Sequence, residues 1–151
     1  EEISRACKNI KQEQAGMVLK PGKHGIDIID SSYSANPDGV FADLDYLNIF
    51  PNKKAIIMPC LIELGPKSSE IHQKIGRKIA KICGLAIITS KGKFEDLKKG
   101  AVEAGMKPNN ILLCDKPEEI STMISLFCKA GDAVLLEGRI PAKIIKLLSN
   151  D

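Results

Sequence analysis

Three clusters of polar residues follow predicted strands of this chain, and their side chains suit the binding of charged or hydroxylated ligands. The first cluster contains Asp30, Ser31, Ser32, Tyr33, Ser34 and Asn36. The second is Glu63, with His72 in the helix that follows, and the third ends on Arg139. A carboxylate accepts hydrogen bonds from hydroxyl or ammonium groups, and a guanidinium grips a carboxylate through two parallel bonds. These residue types predict a site that holds a ribose or a substrate.

The first cluster is predicted to lie between a strand and a helix. The largely apolar run from Ile26 to Ile29 indicates a buried strand that ends at Asp30. Asn36 is a favoured helix N-cap, and Pro37 suits the first helical position. Ligands of parallel α/β sheets bind at the carboxyl ends of strands, and the N–H groups at a helix start attract anions. The order of strand, polar loop and helix therefore favours a ligand site on this loop.

Strand and helix patterns alternate along the rest of the chain. The predicted strands cover residues 17–19, 26–30, 55–58, 85–89, 111–114 and 133–136. The predicted helices cover residues 37–49, a long stretch capped by Ser68 or Ser69, and residues 94–104, 117–127 and 140–148. Several strands are apolar throughout, which indicates a parallel sheet between two layers of helices. With a hairpin between the first two strands, this predicts an α/β domain with a mostly parallel six-stranded sheet and helices on both faces.

Composition excludes several classes of function. The chain has 151 residues, of which 44% are hydrophobic, and a net charge of +3. So small and dispersed a charge argues against nucleic-acid binding, and the lack of a long apolar run argues against a membrane span. The sequence contains no GxxxxGK[ST] loop and no GxGxxG motif, and its two histidines lack metal-site spacing. Five separated cysteines without a CxxC pair are typical of reduced thiols in a cytoplasmic protein.

Three segments resemble motifs of the Mur ligase family. Residues 30–37, Asp-Ser-Ser-Tyr-Ser-Ala-Asn-Pro, are similar to its Asp-Asp-Ser/Thr-Tyr-Asn-Ala-Asn-Pro. Residues 59–65, Pro-Cys-Leu-Ile-Glu-Leu-Gly, followed by His72, are similar to its Gly-Asp-Met-Leu-Glu-Leu-Gly and later His. Residues 131–139 resemble Gly-Asp-x-x-Leu-x-Lys-Gly-Ser-Arg, with Glu137 in place of the lysine. The branch most similar to this chain adds D-alanyl-D-alanine to the muramyl tripeptide.

The resemblance implies a Rossmann-like three-layer domain, the C-terminal part of a three-domain ATP-dependent ligase. Residues 1–15, of which 1–12 have a helical pattern, would be the tail of a preceding central domain or a linker, and residues 16–151 the C-terminal domain. The implied reaction joins an amino acid or peptide to a carboxylate acceptor through an acyl-phosphate, in cell-wall-type precursor synthesis. ATP and Mg²⁺ would be held mainly by the missing central domain, so this chain alone would be inactive and hold no catalytic residue.

The implied partners are the missing N-terminal and central domains and a small amino acid or peptide substrate, with no nucleic acid and no membrane. The nucleotide would contact Asp30, Ser31, Tyr33 and Asn36. The incoming substrate would contact Ser34, Glu63, His72 and Arg139. Ordinary structural roles are the alternative: a turn acceptor for Asp30, a satisfied hydrogen-bond partner for His72, and a surface ion pair with Asp132 or Glu137 for Arg139.

Other functions remain open beside the leading one. A related Mur-type ligase, such as an archaeal pseudomurein peptide ligase or a cyanophycin-synthetase-like enzyme, would use the same motifs with a different substrate. A non-catalytic binding or scaffolding domain that retained the fold is another alternative, and an unrelated α/β domain is the third. A phosphate loop in the sequence before this domain would establish the ligase, because such a loop holds the nucleotide phosphates and the metal.

Overall fold

Strands and helices alternate in the computed structural model of the chain, which describes residues 16–150. The strands are β1 (Val18–Pro21), β2 (Asp27–Ser31), β3 (Lys54–Met58), β4 (Leu85–Ile88), β5 (Ile111–Leu113) and β6 (Ala133–Glu137). The helices are α1 (Pro37–Leu47), α2 (Ser68–Ile82), α3 (Phe94–Glu103), α4 (Pro117–Phe127) and α5 (Ala142–Leu148). The helical pattern predicted over residues 1–12 and the boundary predicted at residue 15 lie outside the described residues.

The six strands form one sheet in the order β1-β2-β6-β3-β4-β5. β1 runs antiparallel to β2, and every other neighbouring pair is parallel. The predicted hairpin and the mostly parallel six-stranded sheet are therefore confirmed. β6 is the last strand in the chain, yet it lies between β2 and β3. The carboxyl ends of β2, β6 and β3 are consequently neighbours at one edge of the sheet.

Helices cover both faces of the sheet, as predicted from strands that are apolar on both sides. One core joins strand residues to α1, α2 and α3, and its fully buried members include Ile29, Ile56, Leu135, Leu44, Ile75 and Leu97. The other joins the sheet to α4 and α5, and its members include Ile28, Ile57, Leu136, Ile120, Ile124 and Ile144. Successive residues of a strand point to opposite cores, so each strand contributes to both. The result is the predicted Rossmann-like three-layer α/β architecture.

α2 and α3 approach each other so closely that their backbones touch. A β-carbon added at Gly76 would lie 2.1 Å from the carbonyl oxygen of Leu97, and one added at Gly100 would lie 2.1 Å from that of Gln73. Both distances are far below van der Waals contact, so only glycine fits at either position. This helix pair fixes the loops that follow β3 and β4, because each loop leads directly into one of the two helices.

The helix starts agree with the predictions at α1 and differ at α2. Asn36 caps α1 by accepting a hydrogen bond from the N–H of Gly39 at 2.9 Å, and Pro37 begins the helix. The predicted cap by Ser68 or Ser69 is wrong, because Lys67 occupies the cap position and no side chain caps the helix. A short 3₁₀ turn over Gly65–Lys67 runs straight into α2, and its first carbonyl accepts the N–H of Ser68.

Candidate binding site at the carboxyl edge of the sheet

The loops that follow β2, β3 and β6 meet at Gly138. Its backbone N–H donates to the carbonyl oxygen of Ser31 at 3.1 Å, and its φ of 67° lies in the left-handed region. A β-carbon at this position would lie 3.0 Å from Cβ of Ala35 and 3.3 Å from Cδ of Pro59. Glycine is therefore required both by the backbone conformation and by the close approach of two other loops. The predicted convergence of the three polar loops at one edge is thus a feature of the fold.

Asp30 lies at the end of β2, and both of its carboxylate oxygens accept hydrogen bonds. Lys20 Nζ, on β1, lies 2.8 Å from Oδ2, while the backbone N–H and hydroxyl of Ser32 donate to Oδ1 at 3.1 and 2.5 Å. Burial on its own raises the pKa of Asp30, but the hydrogen bonds from Lys20 and Ser32 outweigh it and hold the pKa below its ordinary value. Asp30 is therefore an ionised acceptor that organises the turn at its own strand end.

The remaining residues of the first loop divide into an outer and an inner set. Tyr33 is 72% exposed, and Ser34 and Asn36 are also exposed. Ser31 instead faces α1, where its hydroxyl donates to Asp43 Oδ2 at 2.5 Å. The loop accordingly presents an aromatic ring, a hydroxyl and an amide outward, while Asp30 and Ser31 anchor its start.

His72 is buried, and both of its ring nitrogens bind backbone groups. Nε2 accepts from the N–H of Leu61 at 3.0 Å, and Nδ1 donates to the carbonyl oxygen of Ser68 at 2.7 Å. Because an N–H requires an acceptor and a carbonyl requires a donor, these partners assign the neutral tautomer with the proton on Nδ1. The ring therefore supports the loop that carries Glu63 and does not itself reach the surface of the edge.

Glu63 lies exposed in that loop, with a φ of 61°. A left-handed backbone is uncommon for residues other than glycine, asparagine and aspartate. The surrounding contacts hold it there, because His72 binds Leu61 on the chain before it and Gly65, also left-handed, begins the turn after it. The structure thus fixes Glu63 on the outer surface of the same edge.

A connection that the sequence analysis missed ties the loop after β3 to the loop after β4. The N–H of Cys60 donates to Ser90 Oγ at 2.8 Å, and its thiol lies 3.2 Å from the carbonyl oxygen of Ser90. The N–H of Lys93 in turn donates to the Cys60 sulfur at 3.2 Å, and Lys93 Nζ donates to Ser69 Oγ at 2.9 Å. Polar residues directly after the buried strand β4 were the available signal.

Arg139 follows β6 and is exposed at the edge that also carries Asp30, because Ser31 pairs with Glu137 in the sheet. Among residues 16–150 it forms no ion pair. Asp132 instead accepts from the backbone N–H groups of Lys53 and Lys129, at the opposite end of β6. The guanidinium is therefore available to a ligand rather than held by either predicted acid.

Glu137 is the most unusual charged residue at the edge, since only 1% of its surface is exposed. Burial, the nearby Asp43 carboxyl and its charge together raise the pKa of Glu137 to about 9. Its Oε2 atom has no hydrogen-bond partner among the described residues. Two signals pointed to this pair: Glu137 ends an apolar strand, and Asp43 interrupts the buried stripe of Val40, Leu44 and Leu47 on α1.

Comparison with known proteins adds the family to this geometry. A family model described as "Mur ligase, glutamate ligase domain" matches residues 17–140. The chain belongs to the Mur ligase family. Recognition of a Mur ligase C-terminal domain from its three motifs is thereby confirmed. A search of curated proteins found no match.

Solved structures share the fold of this Mur ligase domain. MurF ligase from Thermotoga maritima, in complex with ADP, superposes with a TM-score of 0.74 at 23% identity, over 96% of this chain and 35% of that one. MurF from Acinetobacter baumannii gives 0.68 at 16% identity, over 96% and 32%. A domain assigned to a UDP-N-acetylmuramate:L-alanyl-gamma-D-glutamyl-meso-diaminopimelate ligase from Haemophilus ducreyi gives 0.57 at 12%, over 86% and 98%. The chain thus spans about a third of the MurF structures and nearly all of an isolated domain.

Proposed function

We propose that this chain is the nucleotide- and substrate-contacting domain of an ATP-dependent ligase that joins an amino acid or peptide to a carboxylate acceptor. The observation that carries the proposal is the meeting of three polar loops at Gly138, since these loops carry the exposed residues Tyr33, Glu63 and Arg139. Membership of the Mur ligase family supports the same assignment. The acceptor and the incoming amine would react elsewhere, and this domain would position them.

The nucleotide side of the site is assigned to the loop after β2. Tyr33 and Asn36 supply an exposed ring and amide that suit a nucleoside, and Asp30 and Ser31 hold the loop start. The described residues contain no group of three or more His, Cys, Asp or Glu side chains able to hold a metal ion. Tyr33 and Asn36 suit a nucleoside, and we assign the phosphates and Mg²⁺ mainly to a central domain, as in the Mur ligase family that the chain resembles.

The substrate side is assigned to Ser34, Glu63 and Arg139. Arg139 can bind the carboxylate of the incoming amino acid through two parallel hydrogen bonds, because no acid of the described chain occupies it. Glu63 can accept hydrogen bonds from the substrate ammonium, and Ser34 supplies a neutral hydroxyl. His72 takes an indirect role, since its bond to Leu61 positions the loop that holds Glu63.

The implied chemistry is formation of an acyl-phosphate at the acceptor carboxylate, followed by attack of the amine. Positioning and neutralisation of charge account for most of the rate of such a reaction. We place the enzyme in the cytoplasm, because the four described cysteines are free and buried, and burial raises the thiol pKa of Cys83 and Cys128 to about 12. No helix within residues 16–150 is both long enough and apolar enough to cross a membrane.

The first test is titration of the ¹⁵N-labelled 151-residue chain with ADP and, separately, with D-alanyl-D-alanine. ADP should shift amide resonances of the loop after β2, and the dipeptide those near Glu63 and Arg139. The dipeptide C-terminal amide should bind more weakly, because it lacks the carboxylate for Arg139. Asp30→Asn should reduce the shifts that ADP causes in this loop, and Asp27→Asn, at the other end of β2, is its matched control. Shifts confined to other surfaces would contradict the assignment and favour a scaffolding domain.

The second test separates the two sides in the complete enzyme by steady-state kinetics. Asp30→Ala should raise the KM for ATP about tenfold, because the bonds that Asp30 accepts from Lys20 and Ser32 hold the nucleotide loop in place and are worth roughly 1.5–3 kcal/mol. Arg139→Lys should raise the KM of the amine substrate and leave that of ATP unchanged, since lysine cannot form the paired bonds. Arg77→Lys, on the outer face of α2, is the control. Equal effects of both variants on both substrates would refute two separate subsites.

A further inference from the structure

Asp43 and Glu137 form a pair of carboxyl groups that the proposed function does not use. Both lie beside Ser31, whose hydroxyl donates to Asp43 Oδ2 at 2.5 Å, and Asp43 is close enough to Glu137 to act on its carboxyl group. Ser31 and Glu137 are also partners in the parallel ladder of β2 and β6. The three residues thus connect two strands and α1 at the point where the loop after β2 begins.

A hydrogen bond between the two carboxyl groups requires a proton, because two carboxylates have only acceptors to offer each other. Glu137 is the group that holds it, since its surface is 99% buried while Asp43 is only partly buried. Burial and the neighbouring Asp43 both raise the pKa of Glu137, to about 9. Neutral Glu137 can then donate to Asp43, which also accepts the hydrogen bond from Ser31.

No cation of the described chain neutralises this pair. Glu137 faces Asp43 of α1 and Ser31 of β2. Asp30, with its partner Lys20, lies on the opposite face of the sheet. The loop after β3 contributes the uncharged Pro59 beside Gly138, and Arg139 is exposed. Asp43 is the one charged side chain that acts on Glu137. At Asp30 the negative charge is balanced by Lys20, whereas at Glu137 the charge is removed by a bound proton.

We propose that Asp43 and Glu137 share one proton and thereby act as positioning residues for the loop of residues 31–36. The proposal rests on the proposed function only in taking that loop as the nucleotide-contacting one. Loss of the proton places two negative charges together in a buried site, so the Asp43 side chain must turn towards solvent. The bond to Ser31 is then released, and the loop start loses its tie to α1.

The test is an NMR titration of the 151-residue chain with ¹³C-labelled carboxyl groups and ¹⁵N-labelled amides. As the pH rises from neutral past the Glu137 midpoint, the amides of residues 31–36 should shift with the same midpoint as the Glu137 carboxyl. Glu137→Gln should hold the amides in their neutral-pH positions throughout, because the amide side chain still donates to Asp43. Asp43→Asn should lower the Glu137 midpoint, and the control Glu95→Gln, an exposed acid on α3, should leave the transition unchanged.

Three results would overturn the proposal. A Glu137 carboxyl that ionises in the ordinary range for glutamate excludes a shared proton. A high midpoint with no accompanying change in residues 31–36 shows a buried acid without a positioning role. Displacement of the proton by millimolar magnesium chloride at neutral pH shows a cation site instead. Failure of ADP to bind the loop, with the coupled titration intact, refutes the proposed function and leaves the positioning role standing.

Discussion

Asp30 and Glu137 are two acids on neighbouring rungs of the same sheet edge, yet the fold treats them in opposite ways. Asp30 pairs opposite Leu136, and Glu137 pairs opposite Ser31, in adjacent positions of the β2–β6 ladder. Asp30 receives hydrogen bonds from Lys20 and Ser32, which lower its pKa in spite of burial. Glu137 is buried beside another acid, and its pKa is raised to about 9. Which face of the sheet an acid occupies therefore decides its charge.

The two acids also give opposite contributions to the pH dependence of stability. A carboxyl whose folded pKa is depressed stabilises the fold above its unfolded value, and that stability is lost as pH falls through the folded pKa. A carboxyl whose folded pKa is raised does not weaken the fold at low pH, where it is protonated in both states. The free energy of unfolding then falls as pH rises from the unfolded to the folded pKa. Asp30 thus contributes to the loss of stability in acid, and Glu137 contributes to its loss from neutral to alkaline pH.

The largest effect is expected from Glu137→Gln. The free energy of unfolding of the parent chain should fall as pH rises from 4.5 towards about 9, the unfolded and folded pKa values of Glu137. The slope should approach about 1.4 kcal/mol per pH unit, the linkage for one proton. The variant should show a flat profile over this range and a higher stability at alkaline pH. Urea unfolding at a series of pH values measures it, and equal slopes in both chains would contradict the burial of a neutral acid.

Asp30→Asn is expected to have the next largest effect, with the opposite pH dependence. It should lower the unfolding free energy by about 1.5–3 kcal/mol near neutral pH, the range for hydrogen bonds to a charged group. The difference should shrink as pH falls from 3.8, the unfolded value, through the lower folded pKa, where the folded parent carboxylate also becomes protonated. Asp27→Asn on the same strand is the control. A loss that persists undiminished in acid would show that charge does not matter at Asp30.

Lys20→Met tests the cation that distinguishes the two acids and should have a smaller effect on stability. The Lys20 amine and the Asp30 carboxylate are 32% and 12% exposed, so we expect a loss of about 1 kcal/mol or less. The pKa of Asp30 should rise, because burial is then opposed only by Ser32. A ¹³C-carboxyl titration measures the change. An unaltered Asp30 pKa would assign its depression to the Ser32 bonds alone.

Lys116→Ala is expected to have the smallest effect on the stability of the chain. Lys116 and Glu119 form an exposed pair with side chains 70% and 54% exposed, and their hydrogen bond is 2.7 Å long. Solvent and salt screen such a pair, so the stability of the chain should remain unchanged within error. A measurable loss of stability in urea unfolding would show that solvent exposure does not explain why the surface pairs contribute less than the Lys20–Asp30 pair.

Local sequence patterns predicted the fold because the residue pattern of each strand reflects whether one or both of its faces are buried. The apolar strands β4 and β6 indicated burial on both faces, and the Asn36–Pro37 signal located the start of α1. The position of β6 between β2 and β3 could not be predicted, because no local pattern encodes which strands pair. The cap predicted at Ser68 or Ser69 failed because the preceding 3₁₀ turn already satisfies the first N–H of the helix.

The sequence predicted which loops would lie at the carboxyl edge of the sheet but not the hydrogen bonds that their side chains form. The order of strands and loops placed Asp30, Glu63 and Arg139 together, whereas the partners of His72 and Glu137 depend on the packing of separate elements. A histidine near the start of a helix gives no sign that its ring binds the N–H of Leu61. Glu137 at the end of an apolar strand and Asp43 in the apolar stripe of α1 are each unusual in the sequence, but neither signal shows that the two acids meet. The roles assigned to these residues remain predictions for the experiments above.

The central position of β6 has a consequence for the order in which the domain folds. β3 and β4 are close in sequence, and the helices α2 and α3 that follow them can dock through Gly76 and Gly100 as soon as they form. β6 pairs with β2 and β3, and both strands are far from it in the sequence. Ala133 of β6, for example, lies opposite Asp27 of β2. Contacts of such long sequence separation form slowly, because loop closure precedes any gain from pairing. We therefore expect the edge that gathers Asp30, Glu137 and Arg139 to be completed last, when β6 pairs with β2 and β3.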